Sequence, residues 1–302
     1  VADTPQILIV GTGAMAGLFG ARLAVHAEVT LLGTWEQGMK AVRRDGIQLE
    51  ENGQLRQVKV AVASGPEQCA GTKTALVLVK SWQTAGAAQM LSQCLTADGV
   101  ALTLQNGLGN LEILESALGK GRAAMGVTTS GATLVGPGRV RAGGAGPTHV
   151  APHPRLEQLV DLLRSAGFEV HPAEDLASLV WGKLAINAGI NPVTALLEVP
   201  NGELLQRPRA HRVMVEAARE TAAVAAASSI ELPYADAATA VEQVAERTAT
   251  NSSSMLQDIQ RGAPTEVDAI SGAIVKEGRR LGIQTPVNWT LWSLVRAKAK
   301  TK

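Results

Sequence analysis

Residues 181–191 read WGKLAINAGIN, an apolar run broken by one ammonium, Lys183, and two amides, Asn187 and Asn191, spaced four apart. On a helix such positions share one face, drifting by about 40° per step. An amide buried without a partner costs roughly 2–7 kcal/mol, so this face either meets water or holds a ligand. Were a ligand held there, the lysine would offer it a positive charge and the amides neutral hydrogen bonds. Three more polar residues in the same half invite attention: Asn201 in PNGEL, Ser254 in NSSSMLQD and Glu266 in PTEVD. Each has a plainer explanation alone. Asn201-Gly202 reads as a turn, Ser254 as a helix start, and Glu266 as a first-turn carboxylate favoured by the helix dipole.

At the other end of the chain, the apolar run QILIV (6–10) leads directly into Gly11-Thr12-Gly13-Ala14-Met15-Ala16, the pattern G-x-G-x-x-A. The first glycine permits a tight turn, the second lets the backbone approach a pyrophosphate, and the small third position allows close helix–sheet packing. The helix that follows points its N-terminus at the phosphates. A strand before and a helix after favour a dinucleotide-binding turn, with a tight βα connection that holds no ligand as the alternative. Lys80 follows ALVLV, and Asn106 follows VALTL in LQNGLGN. Both sit where strands end, which is where ligands of open α/β sheets lie. For Asn106-Gly107 plain turn chemistry is the competing explanation. At the end of the second strand, LLGTW places Thr34, neither the acid that commonly holds a ribose diol nor a base for a 2′-phosphate. Lys40, Arg43 and Arg44 lie beyond it and read as a solvated helix face.

These residues need elements to position them. Short β runs alternate with helical patterns through the first half: QILIV, EVTLL (28–32), ALVLV (75–79), VALTL (100–104), AAMGVTT (123–129) and FEVHP (168–172), with helices near 14–26, 35–44, 83–95, 110–118 and 155–166. Asn52-Gly53 marks a hairpin, and the Gly-rich piece 131–146 suggests antiparallel extensions. Alternating βα units imply a parallel, doubly wound sheet. After residue 173 only helical patterns remain, over 174–190, 203–228, 235–249, 252–261 and 265–281. Pro192 is expected to kink or end the first of these. Thr265 with Asp268 resembles a capping box, and Gly282 a helix stop. The expected architecture is α/β, a Rossmann-like doubly wound domain over 1–172 followed by an all-α domain over 173–302.

Composition narrows the function classes. The chain has 302 residues, 46% hydrophobic and 18% charged, and a net charge of +1. No global field attracts nucleic acid or an anionic membrane. The most membrane-like run, 213–230, carries Glu216, Arg219 and Glu220, so no membrane span is expected. Two cysteines, Cys69 and Cys94, are too few for a disulfide framework, and no export signal is visible, so a cytoplasmic location is expected. The five histidines are scattered, and no metal site is expected. No G-x-S-x-G supports a serine nucleophile.

Taken together, GTGAMAG, VKSWQT, LQNGLGN, WGKLAINAGINPVTALLEVPNGEL and SSSMLQDIQRGAPTEVD resemble, in order and approximate spacing, the motifs of the ketopantoate reductases (2-dehydropantoate 2-reductases). The resemblance spans nearly the whole chain. It implies NADPH-dependent reduction of 2-dehydropantoate to pantoate, a step towards pantothenate and coenzyme A. It implies that Lys183 is the proton donor and touches substrate, and that Asn187, Asn191, Asn201 and Ser254 bind substrate. It places Gly11, Thr12, Gly13, Ala14, Met15, Ala16, Lys80, Asn106, Ala132 and Glu266 at the cofactor. Thr34 departs from the basic residue common at that corner, which leaves NAD open beside NADP. The expected partner is a small 2-oxo acid, and the reading leaves room for a homodimer. The alternatives are a related reductase of another 2-oxo acid and a non-catalytic dinucleotide sensor; the latter would have no use for the Lys183 face.

Overall fold

A computed structural model describes residues 4–299. The chain divides into two compact units, one running to Gln105 and resuming over Asn110–Leu176, the other comprising Asn106–Gly109 and Ala177–Lys302.

The first unit contains strands β1 (Gln6–Val10), β2 (Glu28–Leu32), β3 (Ile47–Glu51), β4 (Gln54–Val58), β5 (Ala61–Ala63), β6 (Thr72–Val77), β7 (Leu95–Thr103), β8 (Ala123–Thr128), β9 (Ala132–Gly136), β10 (Arg139–Ala142), β11 (Thr148–Val150) and β12 (Val170–Pro172). Eight of them form one sheet in the order β12-β11-β8-β7-β6-β1-β2-β5. The run from β8 to β5 is parallel, and β11 pairs antiparallel with β8. In β1, Ile7 and Ile9 point into one apolar cluster and Leu8 and Val10 into another. Side chains alternate faces along a strand, so a stretch covered on both faces must be apolar throughout, as Ile7, Leu8, Ile9 and Val10 are. The helices are α1 (Ala14–Leu23), α2 (Glu36–Asp45), α3 (Thr84–Cys94), α4 (Asn110–Leu118) and α5 (Glu157–Ser165). A second sheet, β4-β3-β10-β9, holds the hairpin at Asn52-Gly53, whose φ values of 51° and 75° match the positive-φ turn read from the sequence. The short β5, only three residues, carries no pattern by which it could be anticipated.

The second unit is helical: α6 (Leu176–Leu197), α7 (Glu203–Gln206), α8 (Pro208–Ala227), α9 (Ala237–Arg247), α10 (Ser254–Gln260), α11 (Ser271–Leu281) and α12 (Pro286–Lys298). Helix α6 is its centre. Trp181, Leu184, Ala188 and Ala195 enter one apolar cluster, Ile190 and Val193 another. A helix apolar over most of its surface must be buried over most of its surface.

Three local expectations fail. Pro192 lies inside α6 and does not end it, because Ile190, Val193 and Ala195 on either side are all core residues. Burial there outweighs the hydrogen bond a proline removes. Residues 203–228 form two helices, α8 starting afresh with Pro208 in its first turn. The helix expected from Thr265 begins only at Ser271. Asp268, read as a cap, instead accepts from the Trp292 indole at 2.7 Å. Gly282 ends α11 with φ 73°, as expected of a C-terminal glycine. No described helix is long and apolar enough to cross a membrane.

One tertiary cap holds the C-terminal helix. Glu220 on α8 accepts from the backbone N–H of Val287 and of Asn288, each at 2.8 Å, and from the Asn288 amide at 2.8 Å. First-turn N–H groups have no partner within their own helix. Glu220→Ala should therefore lower stability by about 2–3 kcal/mol, read as an earlier urea midpoint, with Glu220→Gln falling between it and the parent.

Candidate active site

In the first unit, β1 ends at Val10 in register with Leu32 of β2 and Val77 of β6, and Val77 pairs with Thr103 of β7. The turns after these strands thus emerge along one edge. Gly11 has φ 133°, and a Cβ there would lie 3.1 Å from the Leu78 carbonyl, so only glycine fits. Its N–H donates to the Leu32 oxygen at 2.8 Å. Gly13 differs. It caps α1 in extended conformation with φ −87°, no side chain caps the helix, and its first turn holds no acid. A Cβ on Gly13 would meet nothing within 4 Å. The fold therefore does not require glycine at this position, whereas a ligand seated on the helix N-terminus does. Ala16 is fully buried and Met15 packs against the same cluster as Ala132, the first residue of β9. Thr12 lies against Gly33, its methyl 2.8 Å from where a Cβ would be. Lys80 caps the short 3-10 turn Ser81–Gln83, two residues beyond the Leu78 backbone on which Gly11 rests. Thr12 and Ala14 complete the loop. The residues present fit a dinucleotide pyrophosphate.

A hydrogen-bonded network that the sequence reading passes over braces this edge. Gln105 donates to the Val79 carbonyl at 3.0 Å and to the Thr84 hydroxyl at 2.8 Å, and accepts from Thr103 at 2.9 Å. Thr84 in turn donates to Asn110 at 2.8 Å. A glutamine directly after a core strand is the signal that marks it, overshadowed in LQNGLGN by the neighbouring Asn-Gly.

In the second unit, Lys183, Asn187 and Asn191 lie on α6 as the spacing implies. Asn191 is buried, Lys183 and Asn187 half-buried. Burial pulls the Lys183 ammonium from the usual lysine range down to about 8, and the Glu266 carboxylate opposes that shift. Glu266 is itself only 5% exposed, and it accepts from the Asn106 amide at 3.3 Å. The segment carrying Asn106 is held to this unit by the Leu108 N–H, which donates to the Ala269 oxygen at 3.0 Å. Asn106, expected at the cofactor as Glu266 is, lies in the helical unit and bonds Glu266 there. Tyr234, overlooked in the sequence, donates to the Gly182 carbonyl at 2.9 Å and so braces the turn that presents Lys183.

Towards the other end of α6, the hydroxyls of Thr194 and Ser253 share a hydrogen bond of 2.7 Å. Ser253, not Ser254, caps α10 by accepting from the Leu256 N–H, which leaves Ser254 without a capping duty. Asn201 donates through its amide to Thr248 at 2.8 Å and through its backbone to the Asn251 oxygen at 3.0 Å. Its side-chain oxygen is buried with no partner among the described residues. A buried orphan acceptor is costly, and a ligand hydroxyl would satisfy it. Asn191, Asn201 and Ser254 are therefore drawn towards one end of α6, with Lys183, Glu266 and Asn106 gathered towards the other.

Residues 7–155 match the family described as ketopantoate reductase PanE/ApbA, and residues 175–299 match ketopantoate reductase PanE/ApbA C terminal. A 2-dehydropantoate 2-reductase of Halobacterium salinarum is 37% identical over 300 residues, covering 96% of this chain and 98% of that protein. The crystal structure of a PanE/ApbA family ketopantoate reductase from Ralstonia eutropha JMP134 superposes with a TM-score of 0.91 at 33% identity, covering 97% of this chain and 98% of that one. A D-mandelate dehydrogenase solved with NADH and anilino(oxo)acetate also gives a TM-score of 0.91, at 28% identity, with 97% and 98% coverage.

Proposed function

The chain belongs to the ketopantoate reductase family, and on that premise we propose that it reduces the keto group of 2-dehydropantoate to the alcohol of pantoate, with NADPH as reductant and Lys183 as proton donor. The family is NAD(P)-dependent, and a structural neighbour was solved with NADH. The observation that carries the reading is the half-buried Lys183 on α6, with Glu266 acting on its charge and two asparagines further along the same face.

The dinucleotide, when bound, supplies a hydride to the keto carbon. The rest is work for this chain. The glycine loop Gly11–Ala16 holds the pyrophosphate on backbone N–H groups and the α1 terminus. Lys183 offers Nζ–H to the keto oxygen, stabilises the charge that accumulates there, and transfers its proton as the alcohol forms. A pKa of about 8 keeps the amine mostly protonated at neutral pH yet a stronger acid than a solvated lysine. Glu266 acts against burial and raises that pKa. Asn187, Asn191, Asn201 and Ser254 orient the carboxylate and hydroxyl of the substrate, Asn201 through its unpartnered oxygen. Solvent then reprotonates Lys183. We place the enzyme in the cytoplasm, a reading supported by two free, buried cysteines.

A related 2-oxo acid is the second reading, favoured by the likeness to a D-mandelate dehydrogenase solved with an oxoacetate. The test is consumption of reduced nicotinamide with ketopantoate and with a panel of aliphatic and aromatic 2-oxo acids. Ketopantoate should give the highest kcat/KM by at least about tenfold. Failure on ketopantoate with turnover of another member would overturn the substrate assignment in favour of the second reading.

A further inference from the structure

The turn that carries Asn201 supports an inference that rests on the proposed reduction of a hydroxylated 2-oxo acid and adds how that hydroxyl is recognised. Asn201 and Gly202 are clamped to the C-terminal end of α9 and the residues after it. The Asn201 N–H donates to the Asn251 oxygen and the Gly202 N–H to the Ala249 oxygen, each at 3.0 Å, while the Asn201 carbonyl accepts from the Leu204 N–H at 3.2 Å. The approach is close: a Cβ on Gly202 would lie 2.5 Å from the Ala249 Cβ. The Asn201 backbone is thereby fixed, and its buried side chain meets Thr248, the residue that ends α9.

Which way round the Asn201 amide sits follows from counting hydrogens. A threonine hydroxyl has one hydrogen to give and lone pairs to accept with. Here it donates to the Val244 carbonyl at 2.7 Å and accepts from the Asn201 amide nitrogen at 2.8 Å. Rotating the amide by half a turn would set Oδ1 against the Thr248 oxygen. The hydroxyl could then donate to Oδ1 only by leaving Val244, so two hydrogen bonds would become one and the NH2 group would lose its acceptor. Thr248 thus selects the orientation in which Nδ2 faces it and Oδ1 faces away, buried with no partner among the described residues. An amide oxygen only accepts, and the carboxylate and keto oxygens of a 2-oxo acid have no hydrogen to offer it. A hydroxyl does.

We propose that Thr248 is a positioning residue: by fixing the Asn201 amide it presents an acceptor to the ligand, and so makes a hydroxyl on the substrate, beyond the keto acid group, a condition of efficient reduction. A site built to bond a substrate hydroxyl discriminates strongly against the analogue that lacks it, because its own polar group is then left unpaired.

The experiment compares kcat/KM for ketopantoate and for trimethylpyruvate, which differs only in lacking the hydroxyl, in the full-length parent and two variants. The parent should favour ketopantoate by at least about 100-fold. Thr248→Val keeps the shape without the hydroxyl. It should reduce that preference about tenfold through a higher KM for ketopantoate, with kcat and the turnover of trimethylpyruvate within about threefold of the parent. Thr248→Ser retains the hydroxyl and should keep the parent's ratio. A purely structural threonine predicts instead that both activities of Thr248→Val fall in parallel, or that its ratio equals the parent's with an unshifted thermal melt; either result would overturn the proposal. A parent that reduces both acids equally well would also overturn it, while leaving the reaction assigned above intact. A parent inactive on ketopantoate but active on another hydroxylated 2-oxo acid, with a preference over its deoxy analogue that Thr248→Val lowers, would displace the substrate and uphold the role of Thr248.

Discussion

Lys183→Ala should lose about 10³-fold in kcat for ketopantoate reduction, or about 4 kcal/mol of transition-state stabilisation, while the Kd for the dinucleotide changes by less than about threefold. Two effects combine in that loss. The developing alkoxide forfeits a preorganised cation, and the proton must come from water instead of a positioned acid. Lys183→Arg separates them. A guanidinium preserves positive charge but releases a proton far less readily, so this variant should recover part of the substrate affinity and little of the turnover. The dinucleotide titration is essential to the result, because a variant that no longer bound cofactor would be silent for a different reason. Near-parental kcat in Lys183→Ala would remove the lysine from the chemistry.

The second large effect is expected at Gly13. Gly13→Val should fold with unchanged stability and weaken dinucleotide binding by about 100-fold, or about 2.8 kcal/mol. Its backbone sits at φ −87°, which any residue adopts, and a Cβ there meets no atom within 4 Å among the described residues beyond its chain neighbours. The space it would fill is the approach to the α1 N-terminus, where the pyrophosphate must come close to the backbone. Gly11 is a poorer choice for the same test. With φ 133° and the Leu78 backbone 3.1 Å away, substituting it would strain the fold and confuse instability with lost binding. Unaltered NADPH affinity in a well-folded Gly13→Val variant would show that the helix terminus does not hold the phosphates.

How far the sequence could be read depended on the range of the interactions that decide each feature. Strand β1 was legible because both of its faces are covered, which forces an unbroken apolar run, and the Asn52-Gly53 hairpin because positive φ is a property of two residues alone. Helix α6 beyond Pro192 was not, since local propensity argues for a stop and only the packing of Ile190, Val193 and Ala195 overrules it. Thr265 and Asp268 carry the spelling of a cap, yet Asp268 bonds Trp292 across the unit. The same division applies to the candidate site. The Lys183–Asn187–Asn191 spacing is a local fact and was visible. The Asn106–Glu266 hydrogen bond joins residues 160 positions apart, and the bracing of Gly182 by Tyr234 spans 52; no pattern within a window announces either.

On the proposed mechanism, reduction requires a proton on Lys183, whose pKa is lowered by burial and partly restored by Glu266. The most direct test of this requirement is kcat/KM for ketopantoate, at saturating reduced dinucleotide, followed from about pH 6 to about pH 10, a range that brackets the expected ionisation. Since the protonated amine is the active form, the profile should be level in acid and fall tenfold per pH unit above a break near 8. A profile that stays flat to the alkaline limit, or climbs with pH, would contradict it.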